Sequence, residues 1–583
     1  MPSVITHFKI LDETKQRLPN NSTARQLIER HPEFAYWGSI GPDFLFFYPR
    51  DWQGPIENFF NFIYEFDDLT KDIFKFFKLI SDAKRRTGDY ISGGLYTEIL
   101  NTAHSIQATI LSSLAKNVVG KIDFYEFVIP PFATNIAANK INEWWWIDVA
   151  HHRLTANYAR KLFENCGQNR QLKAYAYGYI THIGADVIGH PFVNTICGGP
   201  YRTQWRRHSF IEKAYDTYVW NIKHNESISK SQAYKRIIFN NVNELPNSLA
   251  DLISKTLNDV YGHLNMVKGV PDRESVKTMY LLFLKWLKAS TSRGLLNLPP
   301  PENFDWFDLD EEIRKKLEDP MKNRPKIGTP PDVDETDFKK AKRFLSSLLE
   351  FCTWIIDTIV KYLTLPQSLL ARLSTTALRY LLWLVQKLIY ELYDKLKLAM
   401  SLGGYTYPEP HHLSQYYQSI ITPNVGRYTD FKFPWKHASH SEQTYHMVHP
   451  QDFFARDFNY LEDFETKPFG SFGNKEIIGD PLKVFFGSIT SDFSEHFRSC
   501  DLAKSKLLDF IGRRTLPMPL GSCTDLSLEL IKRFENNSTA DIPNWNLDGD
   551  RGMGWPTWTT NTQTSTVKPD NEWRDYNDFK FDC

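Results

Sequence analysis

The sequence predicts a mostly α-helical protein with a helical extension and a mixed, loop-rich C-terminal region. Apolar and aromatic side chains recur every three or four residues over residues 56–118 and 340–400, which is the period of a helix with one buried face. Histidine and carboxylate side chains recur four residues apart between residues 182 and 212. After residue 402 the chain becomes rich in Tyr, Phe, His, Pro and Gly, and long helical patterns become few.

The N-terminal stretch contains two isolated candidate ligands. His7 stands in ITHFKIL, just ahead of a short helix-like segment, where a single histidine is usually a surface residue. Asp43 follows the turn that Gly41 and Pro42 impose in WGSIGPDF, between apolar neighbours. A carboxylate in that setting is either a helix N-cap or a site residue.

Helices are expected over residues 56–118, and a second polar cluster follows them. His104 lies within NTAHSIQATILSSL, and we interpret it as a structural residue. Asp148 and His151 stand three residues apart in NEWWWIDVAHHRLT, with His152 beside them. A carboxylate near a histidine can fix the tautomer that metal binding requires, whereas the alternative is a solvated helix start.

The most informative pattern lies between residues 174 and 212. His182 and Asp186 are four residues apart, and so are His208 and Glu212. On a helix such a pair lies on one face, one turn apart, so each pair can face one metal ion. Imidazole nitrogens and carboxylate oxygens form a ligand set that suits zinc. The two pairs therefore predict a metal centre, against the alternative of scattered polar side chains.

His190 extends the first pair by a further four residues. Pro191 disfavours α geometry at the residue before it, so we expect the first helix to end at His190 and the imidazole to turn towards the second pair. The flank AYAYGYI, with Gly184 and Gly189 among the candidate ligands, predicts a tightly packed helix in which polar side chains need a buried role.

The chain beyond residue 212 is expected to remain mostly helical to residue 290. Proline clusters at residues 299–301 and 320–331 indicate linkers or exposed loops. Two amphipathic segments over residues 340–400 predict a packed helical hairpin or, alternatively, an element that meets a membrane surface. Further helices are expected near residues 491–512 and 523–536.

The tail carries an alternating polar pattern in NWNLDGDRGMGWPTW. Asn544, Asn546, Asp548 and Asp550 alternate as in a calcium loop, but Trp555 stands at the twelfth position, where an EF-hand needs a glutamate. We therefore favour a structural loop, or one that returns to the active site, over a calcium site.

The bulk composition argues against some functions. Lys plus Arg and Asp plus Glu both number 69, so the charge balance gives no case for nucleic acid as the main partner. The six cysteines stand far apart without a CxxC spacing, which favours reduced or incidental cysteines, with long-range disulfides as the alternative. We expect neither a signal peptide nor a transmembrane span, because no basic region precedes an apolar run at the N-terminus and charges interrupt the long apolar stretches.

With these motifs in view, the chain up to about residue 225 resembles the zinc-dependent phospholipase C family. The matching motifs occur in the family's order and are THFKI, WGSIGPDF, DVAHHRLT, GYITHIGADVIGHPFVN and GGPYRTQWRRHSFIE. The family includes the bacterial alpha-toxin-like enzymes and the catalytic domain of glycosylphosphatidylinositol-specific phospholipase D. Three-zinc, single-strand-specific nucleases share its fold. The bacterial branch with the GHPFVN and GGPYR elements is the most similar, and the tail motif NLDGDRGMGW also resembles that branch.

The resemblance implies a multi-helix zinc phospholipase C/nuclease-like domain that binds two to three Zn²⁺ ions in a cleft. Carried onto this chain, the family's metal ligands are His7, Asp43, His151, His182, Asp186, His190, His208 and Glu212. Asp186 would bridge two zinc ions. Asp43 would complete one of these two sites with His151 and His182, and would also act as the general base. His7 and the terminal amine would complete the other site.

The third ion would be held by His190, His208 and Glu212. His190 follows Asp186 by only four residues, as in the phospholipase D member, whereas the alpha-toxin-like members have a longer gap. In the family the terminal amine is normally exposed by signal cleavage, and no signal is seen here.

The resemblance also implies a reaction. The expected activity is hydrolysis of the phosphodiester of glycerophospholipids, at a membrane surface, to diacylglycerol and a phosphorylated head group. The alternatives are a nuclease or nucleotidase on the same three-zinc frame and a non-catalytic, membrane-associated protein. The protein is expected to be cytoplasmic as synthesised, with signal-independent export as a possible route to its membrane.

Four regions are expected along the chain. They are a zinc-dependent phospholipase C-like catalytic domain (1–245), a helical extension with a proline-rich linker (246–335), an amphipathic helical hairpin (336–400) and an aromatic-rich C-terminal region (401–583).

Overall fold

A computed structural model shows a mostly α-helical architecture, as the sequence predicts. It describes residues 3–52, 68, 71–83, 98, 101–106, 108, 142, 144–197, 201–239, 243–293, 301, 303, 311–326, 338–363, 375–402, 406–409, 485–486, 522–540, 542, 544–545, 547–548, 559–560 and 567–568. The α-helices are α1 (Val4–Arg17), α2 (Thr23–Arg30), α3 (Pro32–Ser39), α4 (Trp146–His152), α5 (Thr155–Cys166), α6 (Arg170–Cys197), α7 (Tyr201–His224), α8 (Asn247–Tyr261), α9 (Arg273–Lys288), α10 (Glu311–Glu318), α11 (Phe338–Leu363), α12 (Thr375–Leu402) and α13 (Cys523–Glu535).

Shorter elements connect these helices. The 3₁₀ helices are Gly41–Phe47, Pro49–Asp51, Ile228–Lys230, Ala233–Ile237, Gly262–Leu264 and Asp319–Met321, and a π-helical turn occupies Ala289–Arg293. Two short strands, β1 (Thr559–Thr560) and β2 (Val567–Lys568), pair antiparallel with Thr559 opposite Lys568.

Some of the sequence predictions fall only partly within the described residues. Residues 68, 71–83, 98, 101–106 and 108 are helical, and His104 is exposed on the 101–106 stretch. The rest of the 56–118 prediction, the helix near 491–512, Asn546, Asp550 and the terminal amine lie outside the described residues.

Helix α6 is the centre of the helical assembly. Every residue from 174 to 190 is buried, including all the candidate ligands on this helix. It packs against α3, α5, α7 and α13. A helix enclosed in this way is expected to be apolar around its whole circumference. The buried histidines and the aspartate on α6 therefore need a role other than packing.

Helix α13 comes from the C-terminal region and packs directly on α6. Ser527 Oγ donates a hydrogen bond to Thr181 O at 3.3 Å, and Cys523 Sγ donates one to Ala185 O at 3.3 Å. Gly184 allows this close approach, because a Cβ there would lie 2.3 Å from Ser527 Oγ. The C-terminal region thus completes the core around the helix that carries most of the predicted ligands.

The expected end of α6 at His190 is wrong. The helix continues through Pro191 and ends at Cys197. A proline removes one backbone hydrogen bond and disfavours helical geometry before it, but packing on several sides can outweigh that local cost. His182, Asp186 and His190 therefore project from one continuous helix.

The amphipathic segments form two long helices, α11 and α12, that pack against each other. Ile355 and Ile359 of α11 and Val385 and Leu392 of α12 are buried. Helix α12 also packs on α7, which carries His208 and Glu212. These contacts agree with the packed-hairpin interpretation. Among the described residues, the structure contains no helix that is both long and apolar enough to cross a membrane.

Candidate metal centre

Helix α6 places His182 and Asp186 at the middle of the site. Both side chains are fully buried, and His182 Nε2 lies 2.9 Å from Asp186 Oδ2. The other ring nitrogen, Nδ1, donates to the carbonyl of Ser39 at 3.3 Å. Gly41 packs flat against this imidazole: its φ is +61°, and a Cβ there would lie 2.2 Å from His182 Cγ. Only glycine fits this position without strain.

Asp43 and His151 join this pair from two other elements. Asp43 lies in the 3₁₀ helix Gly41–Phe47, and its Oδ1 is 3.2 Å from His151 Nε2. His151 Nε2 is also 3.6 Å from Asp186 Oδ2. One ligand atom from each of Asp43, His151, His182 and Asp186 lies within 4.8 Å of the others, and we call these residues the first group. Of the two roles open for Asp43, the geometry favours the site residue over the N-cap.

The carboxylates of the first group create a strongly negative environment at His151. Burial alone would lower the pKa of His151, but the hydrogen bond with Asp43 and the charges of Asp548, Asp43 and Asp186 raise it to about 9. This position therefore favours positive charge. The ring is fixed on its other side, because Nδ1 donates to the carbonyl of Ile147 at 2.7 Å.

His7 approaches Asp186 from the opposite side. Its Nε2 is 3.4 Å from Asp186 Oδ1, and its ring stacks on His182 with centroids 4.6 Å apart. Burial and the neighbouring His182 imidazole lower the pKa of His7 well below its usual value, so the ring is neutral at pH 7. The two oxygens of Asp186 thus face different histidines.

Asp216 of α7 holds the helix that carries His7. Its buried carboxylate accepts hydrogen bonds from the backbone N–H of Ile5 at 2.9 Å, from that of Thr6 at 2.8 Å and from the Thr6 hydroxyl at 2.6 Å. A carboxylate at a helix N-terminus satisfies backbone donors that have no partner within the helix. This contact fixes the start of α1 and therefore the position of His7.

His190, His208 and Glu212 form a second group, with ligand atoms within 4.8 Å of one another. His208 Nε2 is 2.8 Å and His190 Nε2 is 3.8 Å from Glu212 Oε1. His190 Nδ1 donates a hydrogen bond to the carbonyl of Leu547, in the tail of the chain. Burial lowers the pKa of His208 well below its usual value, which leaves a neutral imidazole.

A third group consists of Asp148, His152 and Asp548, again with ligand atoms within 4.8 Å. His152 Nε2 donates to Asp548 Oδ2 at 2.5 Å. Burial would raise the pKa of Asp548, but the nearby imidazoles of His152, His151 and His190 hold it well below its usual range. Sequence reasoning did not assemble this group. Asp148 and His152 have the same four-residue spacing as the other pairs, and this spacing could have indicated that they face the same ion.

Three of the predicted ligands share one arrangement that suits metal binding. A backbone carbonyl accepts the Nδ1–H of His151, His182 and His190. Because a carbonyl only accepts, Nδ1 carries a proton in each of these rings, so Nε2 is the nitrogen left to bind a metal ion. Metal-binding histidines usually have such an outer partner for their second nitrogen.

The buried polar atoms test whether zinc fits here. Within the described part of the chain, both ring nitrogens of His7, Nε2 of His182 and both oxygens of Asp186 are buried and make no hydrogen bond. Burying such atoms without a partner costs about 1–3 kcal/mol each. A divalent cation would satisfy several of them together, and imidazole with carboxylate is a donor set that zinc prefers. The residues present therefore fit zinc.

Comparisons with known proteins agree with the geometry. Residues 6–265 match the family model described as zinc dependent phospholipase C. The curated proteins and the solved structures contain no significant match to this chain. The matched range includes the first and second groups, His7, Asp148 and His152, whereas Asp548 lies beyond it. Residues 6–265, just under half of the chain, are therefore similar to the zinc-dependent phospholipase C family.

Proposed function

We propose that this protein is a phospholipase C that uses zinc to hydrolyse glycerophospholipids to diacylglycerol and a phosphorylated head group. The observation that carries the proposal is the position of Asp186. Its buried carboxylate has one oxygen towards His7 and the other towards His182 and His151. One carboxylate between two sets of imidazoles is suited to bridge two metal ions.

The proposed ligand set follows from the two groups. Asp43, His151, His182 and Asp186 would hold one zinc ion, and His190, His208 and Glu212 would hold another. His7 would join Asp186 at a further ion, for which the family resemblance implies the terminal amine as an additional ligand. When bound, zinc lowers the pKa of a coordinated water towards 7 and stabilises negative charge on phosphoryl oxygens.

Asp43 is the proposed general base. It retains 7% exposure, whereas Asp186 is fully buried, so Asp43 is the carboxylate of the first group that solvent reaches. Burial raises the pKa of the Asp43 carboxyl, and the imidazoles of His182 and His151 oppose that rise. A base with a raised pKa accepts a proton more readily from an attacking water.

The reaction balances with water as the only co-substrate. The water oxygen forms a bond to phosphorus as Asp43 takes its proton. The bond between phosphorus and the glycerol oxygen breaks, and this oxygen takes up a proton to give diacylglycerol. The other product is the phosphate monoester of the head group.

The lipid substrate is favoured over a nucleic acid by charge and by family. The chain carries equal numbers of basic and acidic residues, whereas proteins that bind nucleic acids usually have a basic surface. A phospholipid would reach the site from a membrane surface, which makes that surface the proposed partner.

A substrate panel with matched variants tests the proposal. Zinc-loaded protein is incubated with phosphatidylcholine vesicles, a soluble chromogenic phosphocholine ester and single-stranded DNA. Release of diacylglycerol and phosphocholine, lost on chelation and in Asp43→Asn but retained in His104→Ala, is the expected result. Cleavage of DNA without lipid hydrolysis would identify the nuclease alternative. Activity on none of the substrates, with zinc bound, would reject an enzymatic role.

A further inference from the structure

The last described part of the chain before the short strands docks on the metal-bearing helices. We call the described residues between Asn536 and Asp548 the C-terminal segment. Asn544 Oδ1 accepts hydrogen bonds from the backbone N–H of Ala156 and of Asn157, both at 3.0 Å, at the start of α5. The Thr155 hydroxyl donates to the carbonyl of Trp545 at 2.8 Å. These contacts hold the segment against α5.

The same segment reaches both predicted ligand groups. The Leu547 N–H donates to the carbonyl of His151 at 2.9 Å, and the Leu547 carbonyl accepts from His190 Nδ1. His151 belongs to the first group and His190 to the second. The two peptide groups that flank the Leu547 Cα are therefore hydrogen-bonded to one residue of each group, and the next side chain is that of Asp548.

Asp548 meets two residues of α4 at this point. Its Oδ2 accepts from His152 Nε2 at 2.5 Å, and Asp148 lies one helical turn before His152. Asp148 and His152 are buried, and the Asp548 side chain is 15% exposed. Two carboxylates and an imidazole thus converge at a position that remains partly open to solvent.

We propose that Asp148, His152 and Asp548 bind a divalent cation, separate from the ions of the first and second groups. One ligand atom of each residue already lies within 4.8 Å of the others, and a bound cation would replace the proton that His152 Nε2 donates to Asp548. Carboxylate oxygen with imidazole nitrogen suits zinc or manganese. Three protein ligands leave a coordination position for water or a phosphate oxygen, as catalytic metal sites do.

This site differs from the one that the family resemblance assigns to His7. Among the side chains that the structure describes, His7 has Asp186 as its candidate co-ligand, whereas the third group supplies three ligands. Asp548 also lies outside the range that matches the family. The C-terminal segment would therefore contribute a metal ligand to the catalytic domain from a region that the family model does not include.

The number of metal ions bound per chain tests this proposal without any assay of lipid hydrolysis. The full-length protein and its variants are loaded with Zn²⁺ alone, dialysed and analysed by plasma mass spectrometry, with Mn²⁺ as a second probe. Asp548→Asn keeps the size of the side chain and its ability to accept a hydrogen bond from His152, but removes the charge. The expected result is the loss of one ion per chain in Asp548→Asn and in Asp148→Asn.

Two controls separate a ligand from a structural contact. Asn544→Ala removes a docking contact of the C-terminal segment without touching the three ligands, so it should keep the full metal content. The double variant Asp148→Asn/Asp548→Asn should lose the same single ion as either variant alone. Unchanged metal content in Asp548→Asn would identify the His152–Asp548 contact as an ion pair only. Equal metal loss in Asn544→Ala would also overturn the proposal, because docking alone would then explain the effect.

Discussion

Replacing Gly41 by alanine should damage the site without removing any candidate ligand. The φ of +61° disfavours an L-residue by about 1–2 kcal/mol. The new Cβ would lie 2.2 Å from Cγ of His182, so this ring must move and lose its hydrogen bond to Ser39. That bond contributes about 1 kcal/mol. Together the two effects predict a loss of about 2–3 kcal/mol of unfolding free energy.

Gly167→Ala is the matched control for this prediction. Gly167 also has a positive φ, of +53°, but a Cβ there would meet no atom within 4 Å. Both variants should unfold at lower temperature, by roughly 2–4 °C per kcal/mol for a domain of this size. Only Gly41→Ala should also lose the zinc ion of the first group, measured as metal content after dialysis. Full zinc content in Gly41→Ala would refute the claim that this close contact positions His182.

Three further predictions concern individual side chains. Asp186→Asn should reduce lipid hydrolysis more than any other single ligand substitution, because the proposal has this one carboxylate serve two ions; full activity would rule out bridging. His151→Ala should abolish hydrolysis while His104→Ala leaves it intact, and the reverse result would move the ligand to His104. Burial raises the pKa of Asp216 from 3.8 to about 6. Because the folded protein then binds more protons than the unfolded chain between these values, its stability relative to Asp216→Asn should fall as pH rises from about 4 to 6. Urea unfolding of the metal-free proteins at several pH values measures that difference, and a flat difference would contradict it.

The helix period made part of the site predictable. His182 with Asp186, and His208 with Glu212, could be paired from sequence because a helix places residues four apart on one face. The structure brings each pair together at 2.9 Å and 2.8 Å between ligand atoms. The spacing of apolar residues also predicted the mostly α-helical fold, because the same period governs how a helix buries one face.

Contacts between distant residues were not predictable in the same way. The hydrogen bond between His152 and Asp548 joins residues 396 positions apart, and the one between His190 and Leu547 spans 357 positions. No local pattern encodes such contacts, although the tail loop was expected to be structural or to return to the site. The prediction at Pro191 was wrong for a related reason, since packing around α6 outweighed a local preference of the backbone.

The most direct measurement of the central claim is the fate of the water oxygen. Zinc-loaded protein is incubated with phosphatidylcholine in water enriched in oxygen-18, and mass spectrometry locates the label in any products. Attack of water on phosphorus with loss of the glycerol oxygen predicts unlabelled diacylglycerol and phosphocholine with one labelled oxygen. Labelled phosphatidic acid with free choline, or label in a released fatty acid, would contradict the account.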